Sequence, residues 1–523
     1  MTAFSRTFHP ASPAASGPAA PPGPSGLHPL ERALVIVAAL HLCFLPWALG
    51  AMHAWSQLTS LALAAVGFIL AVWPRMELDD FATVARRPAS RLVRFPVFWA
   101  GLMLLAYVAA QGLNPAWRFV SSEGAWWLEP VPHLAWLPSG VDAPFVRSNP
   151  WRALAVHGSW WLLVCSVWIG FSRRRSYRAL FTLLAVNAFF LSLFGVLEKV
   201  SGTGKIFWSY RPSNDSFVAS FIYPNHGGAY FNLMMAVIVA LAWWHYQRAH
   251  RQLEAPGLAV VFTFFAVCAA LVVVLSYSRM SIVLLLAFIV LAGCALLFRL
   301  VRRKGPLRAR REFLPVVLAL AGFFGVGLLA LRVEKVWERF AEAAAQPTAS
   351  IRARAIVRQA AGEMLRDRWL LGWGAGCFCY NFPGYARRYP EIYYIGNGHR
   401  QYWEHVHDDL LEFPLELGLA GATPLAVMLG CGAWQLCRRR FWRNPVALLL
   451  VLGCMLALLH AAVDFVFQNP AVLLTWAVFL AGAVRWAELD QTGRHRQGTA
   501  TVPRGEGTAG GSPAPASSGP ILR

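Results

Sequence analysis

The chain has 523 residues, 57% of them hydrophobic and only 14% charged, with a mean hydropathy of +0.47. Soluble domains carry about 25% charged residues, so this composition excludes an ordinary soluble enzyme and also disorder throughout. The net charge of +21, from 47 Lys and Arg against 26 Asp and Glu, would suggest nucleic acid on a soluble chain; on a membrane chain it first reports sidedness.

Residues 1–29 are rich in Pro, Ala, Gly and Ser and lack an apolar core, as do residues 491–523. Both read as disordered tails. The start carries no basic–apolar–small cleavage pattern, so the first span is expected to act as an uncleaved signal. Between the tails lie twelve apolar runs of spanning length: 33–50, 54–73, 95–112, 153–171, 179–197, 227–244, 257–275, 281–298, 313–331, 418–436, 445–467 and 470–487. Pro or Gly interrupts the first, third and tenth. The expected fold is an all-α polytopic membrane domain over 33–487.

Twelve spans put both tails on one side. The loops 74–94, 172–178, 245–254, 299–312 and 438–443 hold 22 Lys and Arg, against six in the short loops of the other side. The positive-inside rule then predicts cytoplasmic tails. Two large segments fall outside, 113–150 and 332–409, and long external loops on a compact bundle are usually functional. Within the second, Arg352–Arg368 has the period of an amphipathic helix, with Ile356, Ala360, Met364 and Leu365 on one side. Most of the nine cysteines sit in apolar runs, as small hydrophobes do. Cys377 and Cys379 are too close for an easy disulfide and lack a second ligand pair, so neither a disulfide framework nor a metal site is expected.

Chemistry-bearing residues gather at the predicted external face. Trp403-Glu404-His405-Val406-His407-Asp408-Asp409-Leu410 leads into Glu412, Glu416 and Gly418 at the mouth of the tenth span. Ionisable groups at membrane depth are costly and line cavities or pair. A helix starting near Asp408 would stack Asp408, Glu412 and Glu416 on one face. Three readings stay open: His407 as a general base held by a carboxylate, a polar helix start with Asp408 as N-cap, or a metal site from His405, His407 and Asp409.

Ser276-Tyr277-Ser278-Arg279 places an arginine in a short external hairpin, where it is either a snorkelling anchor or an anion clamp. Lys205, Arg211, Asn225 and His226 precede the sixth span, and Arg352, Arg354 and Arg358 lie in the large loop. Together they would make an electropositive cavity suited to a phosphate-bearing lipid. Leu371-Gly372-Trp373-Gly374-Ala375-Gly376 lacks the Lys-Ser/Thr of a phosphate loop and reads as a tight turn. Asp464 is a lone acid deep in an apolar run and is expected to pair internally, as a structural acid or at the cavity floor.

These motifs resemble the O-antigen ligase and polysaccharide polymerase family of bacterial inner-membrane proteins. Glu404-His405-Val406-His407-Asp408-Asp409-Leu410-Leu411 followed by Glu416-Leu417-Gly418-Leu419-Ala420-Gly421 is similar to the family's most specific element, departing at Asp408, where the family has Asn. Ser278-Arg279-Met280 departs from Ser-Arg-Gly at its last residue. Asn225-His226-Gly227-Gly228-Ala229, Arg354 and Leu370-Leu371-Gly372-Trp373-Gly374 match further family segments, and Val463-Asp464-Phe465 resembles a late motif of the exopolysaccharide branch.

The resemblance implies a GT-C-like bundle that transfers a glycan from an undecaprenyl-diphosphate donor on the periplasmic face of the inner membrane. The acceptor would be a sugar hydroxyl, of a glycan or of the lipid A–core, and transfer would proceed with inversion and without metal or cofactor. His407 is the first choice of base and His405 the reserve, with Glu404 and Asp408 in the same catalytic set. Arg279 and Arg354 would hold the diphosphate, with Arg211, Asn225 and His226 completing the binding set. Nucleic acid is not an expected partner. Two alternatives compete: a transporter or flippase for lipid-linked glycan, and a protein O-oligosaccharyltransferase of the same family. A transporter would be expected to show related halves and polar residues near mid-membrane; no repeat between the halves is visible and the polar residues cluster at one face.

Overall fold

The computed structural model describes residues 27–79, 82–86, 88–212, 217–307, 348–394 and 400–500, and positions 322 and 325. It is mostly helical. The long helices are α1 (Pro29–Trp47), α2 (Ala54–Val72), α4 (Pro96–Leu113), α5 (Pro150–Gly170), α6 (Arg174–Ser201), α7 (Pro224–Gln252), α8 (Gly257–Leu275) and α9 (Arg279–Lys304), after which come α10 (Thr348–Asp367), α14 (Asp409–Arg438), α15 (Pro445–Ala461) and α16 (Pro470–Ala500). Short helices fill the gaps: α3 (Pro88–Val93), α11 (Phe378–Asn381), α12 (Pro383–Ala386) and α13 (Pro390–Tyr393).

Eleven of the twelve predicted runs coincide with these helices; the run 313–331 lies outside the described residues. Among the described residues ten helices are long and apolar enough to cross a membrane, and α15 is shorter at 17 residues. The protein is therefore an integral membrane protein. Leu40, Ile69, Met103, Leu286 and Val290 turn outward, an apolar exterior that water would not tolerate in bulk but lipid does. Inside, Phe181, Tyr230, Phe231 and Phe479 are fully buried in one core shared by α1, α5, α6, α7 and α16.

Local sequence explains where the helices start. Pro29, Pro96, Pro150, Pro224 and Pro445 each sit in a first turn, where the missing N–H costs nothing and φ is preset. The Asn149 side chain accepts from the Arg152 amide at 2.9 Å, Ser278 from Ser281 at 3.3 Å and Asp408 from Leu411 at 3.2 Å, each satisfying an orphan donor.

The apolar-run reading misses three features. The segment 113–150 folds as a small sheet: β3 (Pro115–Ser122) pairs antiparallel with β4 (Ala125–Pro130) and parallel with β5 (Gly140–Asp142). A hairpin of β1 (Arg75–Asp79) and β2 (Ala82–Arg86) follows α2. Helix α14 begins at Asp409, as the helix start expected near Asp408 requires and ahead of the apolar run at 418, and Gly418, non-helical at φ +64°, joins its two helical stretches across a kink. In addition, α16 continues past 491 to Ala500, and 501–523 lie outside the described residues, as do 1–26.

Hydrogen bonds gather one set of loops at one end of the bundle. The Asp409 amide donates to the Asp464 carbonyl at 3.3 Å, the Gln111 amide to the Glu416 carbonyl at 3.1 Å, and the Ser220 hydroxyl to the Pro46 carbonyl at 2.5 Å. The mouth of α14, the α15–α16 hairpin, the start of α7 and the sheet-bearing loop thus meet.

Candidate active site

The site is built from three pieces far apart in sequence: the segment 403–409 entering α14, the hairpin 462–469 between α15 and α16, and the start of α7. The loop helix α10 packs over them. Val357, Ala360, Ala361 and Met364 bury its apolar side against Phe378, Phe382, Val406 and Leu415. The stripe flanking that side carries Arg354 and Arg358, one turn apart, which reach Asp464 and Asp408 at 4.0 Å each.

Two histidine–carboxylate couples result. His405 Nδ1 meets Glu412 Oε1 at 2.6 Å, and the other Glu412 oxygen accepts from the Val406 amide at 2.7 Å. His407 Nδ1 meets Asp464 Oδ1 at 3.2 Å. Between them stands Phe465, whose ring stacks on His405 at 4.6 Å and takes His407 edge-on at 4.7 Å. Tyr223 stacks on the same ring at 4.8 Å.

Asp464 is the centre of the arrangement. It is buried and accepts from His407, from the Phe465 amide at 2.9 Å, from the Asn225 side chain and from the Tyr223 hydroxyl at 3.5 Å. Burial alone would raise its pKa. The hydrogen bond from His407, with the Arg354 charge behind it, outweighs burial and holds the carboxyl well below its ordinary range. An ionised carboxylate only accepts, so His407 Nδ1 carries the proton between the pair, and in the neutral ring Nε2 is then the acceptor that faces away from Asp464. His405 differs. Burial opposes its protonation, but the charge and hydrogen bond of Glu412 win and raise it to about 9, so it is a cation at neutral pH. His407 adopts φ +61°, a left-handed conformation that costs a non-glycine residue about 1–2 kcal/mol and is tolerated where the surroundings fix the side chain.

The predicted site residues divide. His405, His407, Asn225, His226, Arg354 and Asp408 come together. Asp408 is the N-cap of α14 and the partner of Arg358, with its carboxyl raised by burial. His226 faces inward: Nε2 lies 3.1 Å from the Phe465 carbonyl and Nδ1 3.4 Å from the Asn469 side chain, so both nitrogens are taken and it braces the hairpin. Glu404 is exposed and, among the described residues, makes no hydrogen bond or ion pair. Arg279 is exposed at the first turn of α9, and Arg211 is exposed before α7; neither bonds to the cluster among the described residues.

Glu412 and Glu416 do not line a common cavity with Asp408. Glu416 accepts from the Gly376 amide at 2.8 Å and the Phe378 amide at 3.1 Å. The glycine-rich stretch is thereby consumed as structure. Trp373 and Gly374 amides donate to the Leu415 and Glu416 carbonyls, while Leu419 and Ala420 amides donate back to Trp369 and Leu370. Gly372 and Gly418 touch backbone to backbone: a Cβ on Gly418 would lie 2.3 Å from the Leu370 carbonyl oxygen.

Sequence reasoning places Asp464 in the right neighbourhood but not at the centre, names Glu412 only in a stripe with Asp408 and Glu416 rather than as the partner of His405, and misses Tyr223 and Phe465. Phe465 adjoins the lone acid and Tyr223 stands two residues before Asn225, and those positions are the signal in the sequence. Beneath the cluster, Leu410, Phe413, Phe467, Trp476, Leu429 and Val484 line an apolar cavity of about 180 Å³ that extends along α5, α14 and α16.

Residues 264–426 match the family described as O-antigen ligase. The match takes in Arg279, Arg354, both site histidines and the kinked start of α14, whereas Asn225 and Asp464 lie outside it. No curated protein matches the chain.

Proposed function

We propose that this chain, a member of the O-antigen ligase family and so a membrane glycosyltransferase of the ligase or polymerase type, moves a glycan from an undecaprenyl-diphosphate donor to a sugar hydroxyl on the periplasmic face. The observation that carries the reading is the Asp464–His407 couple, with Arg354 beside it and His405 held as a cation next to it. His407 Nε2 takes the acceptor proton as the acceptor oxygen bonds to the anomeric carbon. The bond from that carbon to the diphosphate breaks on the opposite face, which inverts the centre, and both bonding electrons leave with the diphosphate. Arg354 and His405 offset the charge that develops there. A diphosphate is a good leaving group, so positioning and these cations support a reaction without metal. The positive-inside tally supports a periplasmic site and cytoplasmic tails. The apolar cavity that begins at Leu410 and Phe467 suits the polyprenyl tail of the donor.

The test is glycan transfer by the purified full-length protein from undecaprenyl-diphosphate glycan, with His407→Ala and Arg354→Ala beside wild type. Both variants are expected to lose at least about 100-fold in kcat. Unchanged transfer in both would remove the site assignment, and loss of transfer on adding EDTA would remove metal independence. Movement of the lipid across a bilayer with no glycosidic bond formed would establish the transporter instead.

A further inference from the structure

The sheet-bearing loop presents a run of aromatic rings that the transfer chemistry does not use. Phe119 on β3 stacks on Trp126 of β4 at 5.8 Å, and Trp126 meets Tyr402 edge-on at 6.4 Å and Tyr380 at 6.1 Å. Phe119 and Tyr380 are the inner rings of this cluster, packed with buried Cys377 and Cys379. Trp126 is half-buried, and Tyr402 is 52% exposed. The exposed end is continuous with the site: one residue beyond Tyr402, the Trp403 ring meets His407 edge-on at 5.8 Å. Glu404 follows, exposed and without a hydrogen bond or ion pair among the described residues, its charge felt by Arg152 and His405.

Membrane proteins do expose aromatic rings as interfacial anchors, but anchors have no need of an unpaired carboxylate beside them or of a register that ends on a catalytic histidine. The combination of an open ring face and a free planar acceptor suits a sugar. The apolar C–H face of a pyranose lies on the ring while its hydroxyls donate to the carboxylate, the pattern of an apolar surface with a few placed polar groups.

We propose that Trp126, Tyr402 and Glu404 form the acceptor subsite, where a sugar unit of the acceptor glycan rests on the rings and hydrogen-bonds to Glu404, bringing its terminal hydroxyl toward His407. The inference rests on the glycosyl-transfer reading above. It gives the small sheet a function: β3 and β4 hold Trp126 at the height of the catalytic segment.

The test separates binding from chemistry. Saturation-transfer NMR on the full-length protein in nanodiscs uses maltohexaose, cellohexaose and chitohexaose as probes, without donor. At least one is expected to bind wild type, and Trp126→Ala and Tyr402→Ser are expected to weaken it about tenfold, the scale of one lost aromatic contact. Trp126→Phe should retain most of the affinity, and His407→Ala should bind as wild type. In the transfer assay the same aromatic variants should raise the acceptor KM and leave the donor KM unchanged. Melting temperatures identify any variant that has lost its fold, and Tyr402→Ser, at an exposed position, keeps the comparison usable if Trp126→Ala has. Equal binding by wild type and both aromatic variants would overturn the subsite, as would binding of none of the three probes or a rise confined to the donor KM. Full transfer by His407→Ala would overturn the catalytic reading alone, because the binding measurement does not pass through it.

Discussion

Two buried carboxylates sit at opposite ends of the bundle, and the contrast between them separates structure from chemistry. Glu31, near the start of α1, accepts from the Ser172 amide at 2.8 Å, from its hydroxyl at 2.7 Å and from Ser176, with Arg75 at 3.8 Å. Arg75 in turn donates to the Gly170 carbonyl at 3.0 Å. Both side chains of that pair are 2% exposed, and the donors are short or fixed. Asp464 is as buried, but two of its partners, the donor His407 and the ion-paired Arg354, are groups with working ends left over. His407 keeps Nε2 free of Asp464, and Arg354 is 31% exposed. A carboxylate closed in on every side holds helices together. One whose partners reach outward can hold a base and a cation ready for a ligand.

The sharpest way to break this comparison is to neutralise each acid in turn. Asp464→Asn should lower kcat for glycan transfer by about 1,000-fold, because His407 loses the group that fixes its tautomer, while the melting temperature falls only modestly. Glu31→Gln should do the reverse. Leaving Arg75 without its buried counter-charge should cost about 3 kcal/mol of stability, read as a lower melting temperature in detergent, with kcat per folded molecule unchanged. If Glu31→Gln lost transfer at full stability, or Asp464→Asn melted far lower with its kcat intact, the division would be wrong.

A smaller effect sharpens the same contrast. Gly418→Ala puts a Cβ into a φ of +64° and against the Leu370 carbonyl, which should cost about 2 kcal/mol or more. The strain falls on the junction through which Glu416 holds the 376–378 turn, so stability and transfer should fall together. A variant that melted as wild type would show that the two backbones can separate without consequence.

What could be read from the sequence follows from the range of the interactions. Spans are legible because apolar runs are local, and the amphipathic period of α10 and the capping role of Asp408 are local too. The sheet is not: β3 and β4 sit in a segment rich in Trp and Pro, where neither a run nor a clean alternation marks them. The site lies in between. The histidines and Arg354 stand out by their motifs, but the acid that organises them is 57 residues from His407 and 239 from Asn225, a distance that only helix packing closes. His226 shows the opposite failure: its residue type suggested a ligand contact, and its depth assigned both nitrogens to the protein.

The weakest effect concerns the second couple and is a matter of pH. His405 is raised by Glu412 from 6.5 to about 9, so the folded protein binds its proton more tightly than the unfolded chain does. That contribution to stability is whole below pH 6.5 and is lost as pH rises through 9. Asp464, held low, acts with the other sign: its contribution is whole above the ordinary carboxylate value near 3.8 and fades as pH falls further. The melting temperature should therefore decline between about pH 6.5 and 9, and Glu412→Gln should flatten that decline while leaving the acid side unchanged. Because a cationic His405 is also what the departing diphosphate would meet, kcat should fall over the same alkaline window in wild type. An alkaline decline in stability that survived Glu412→Gln would assign it to another group and return His405 to the role of a neutral packing ring against Phe465.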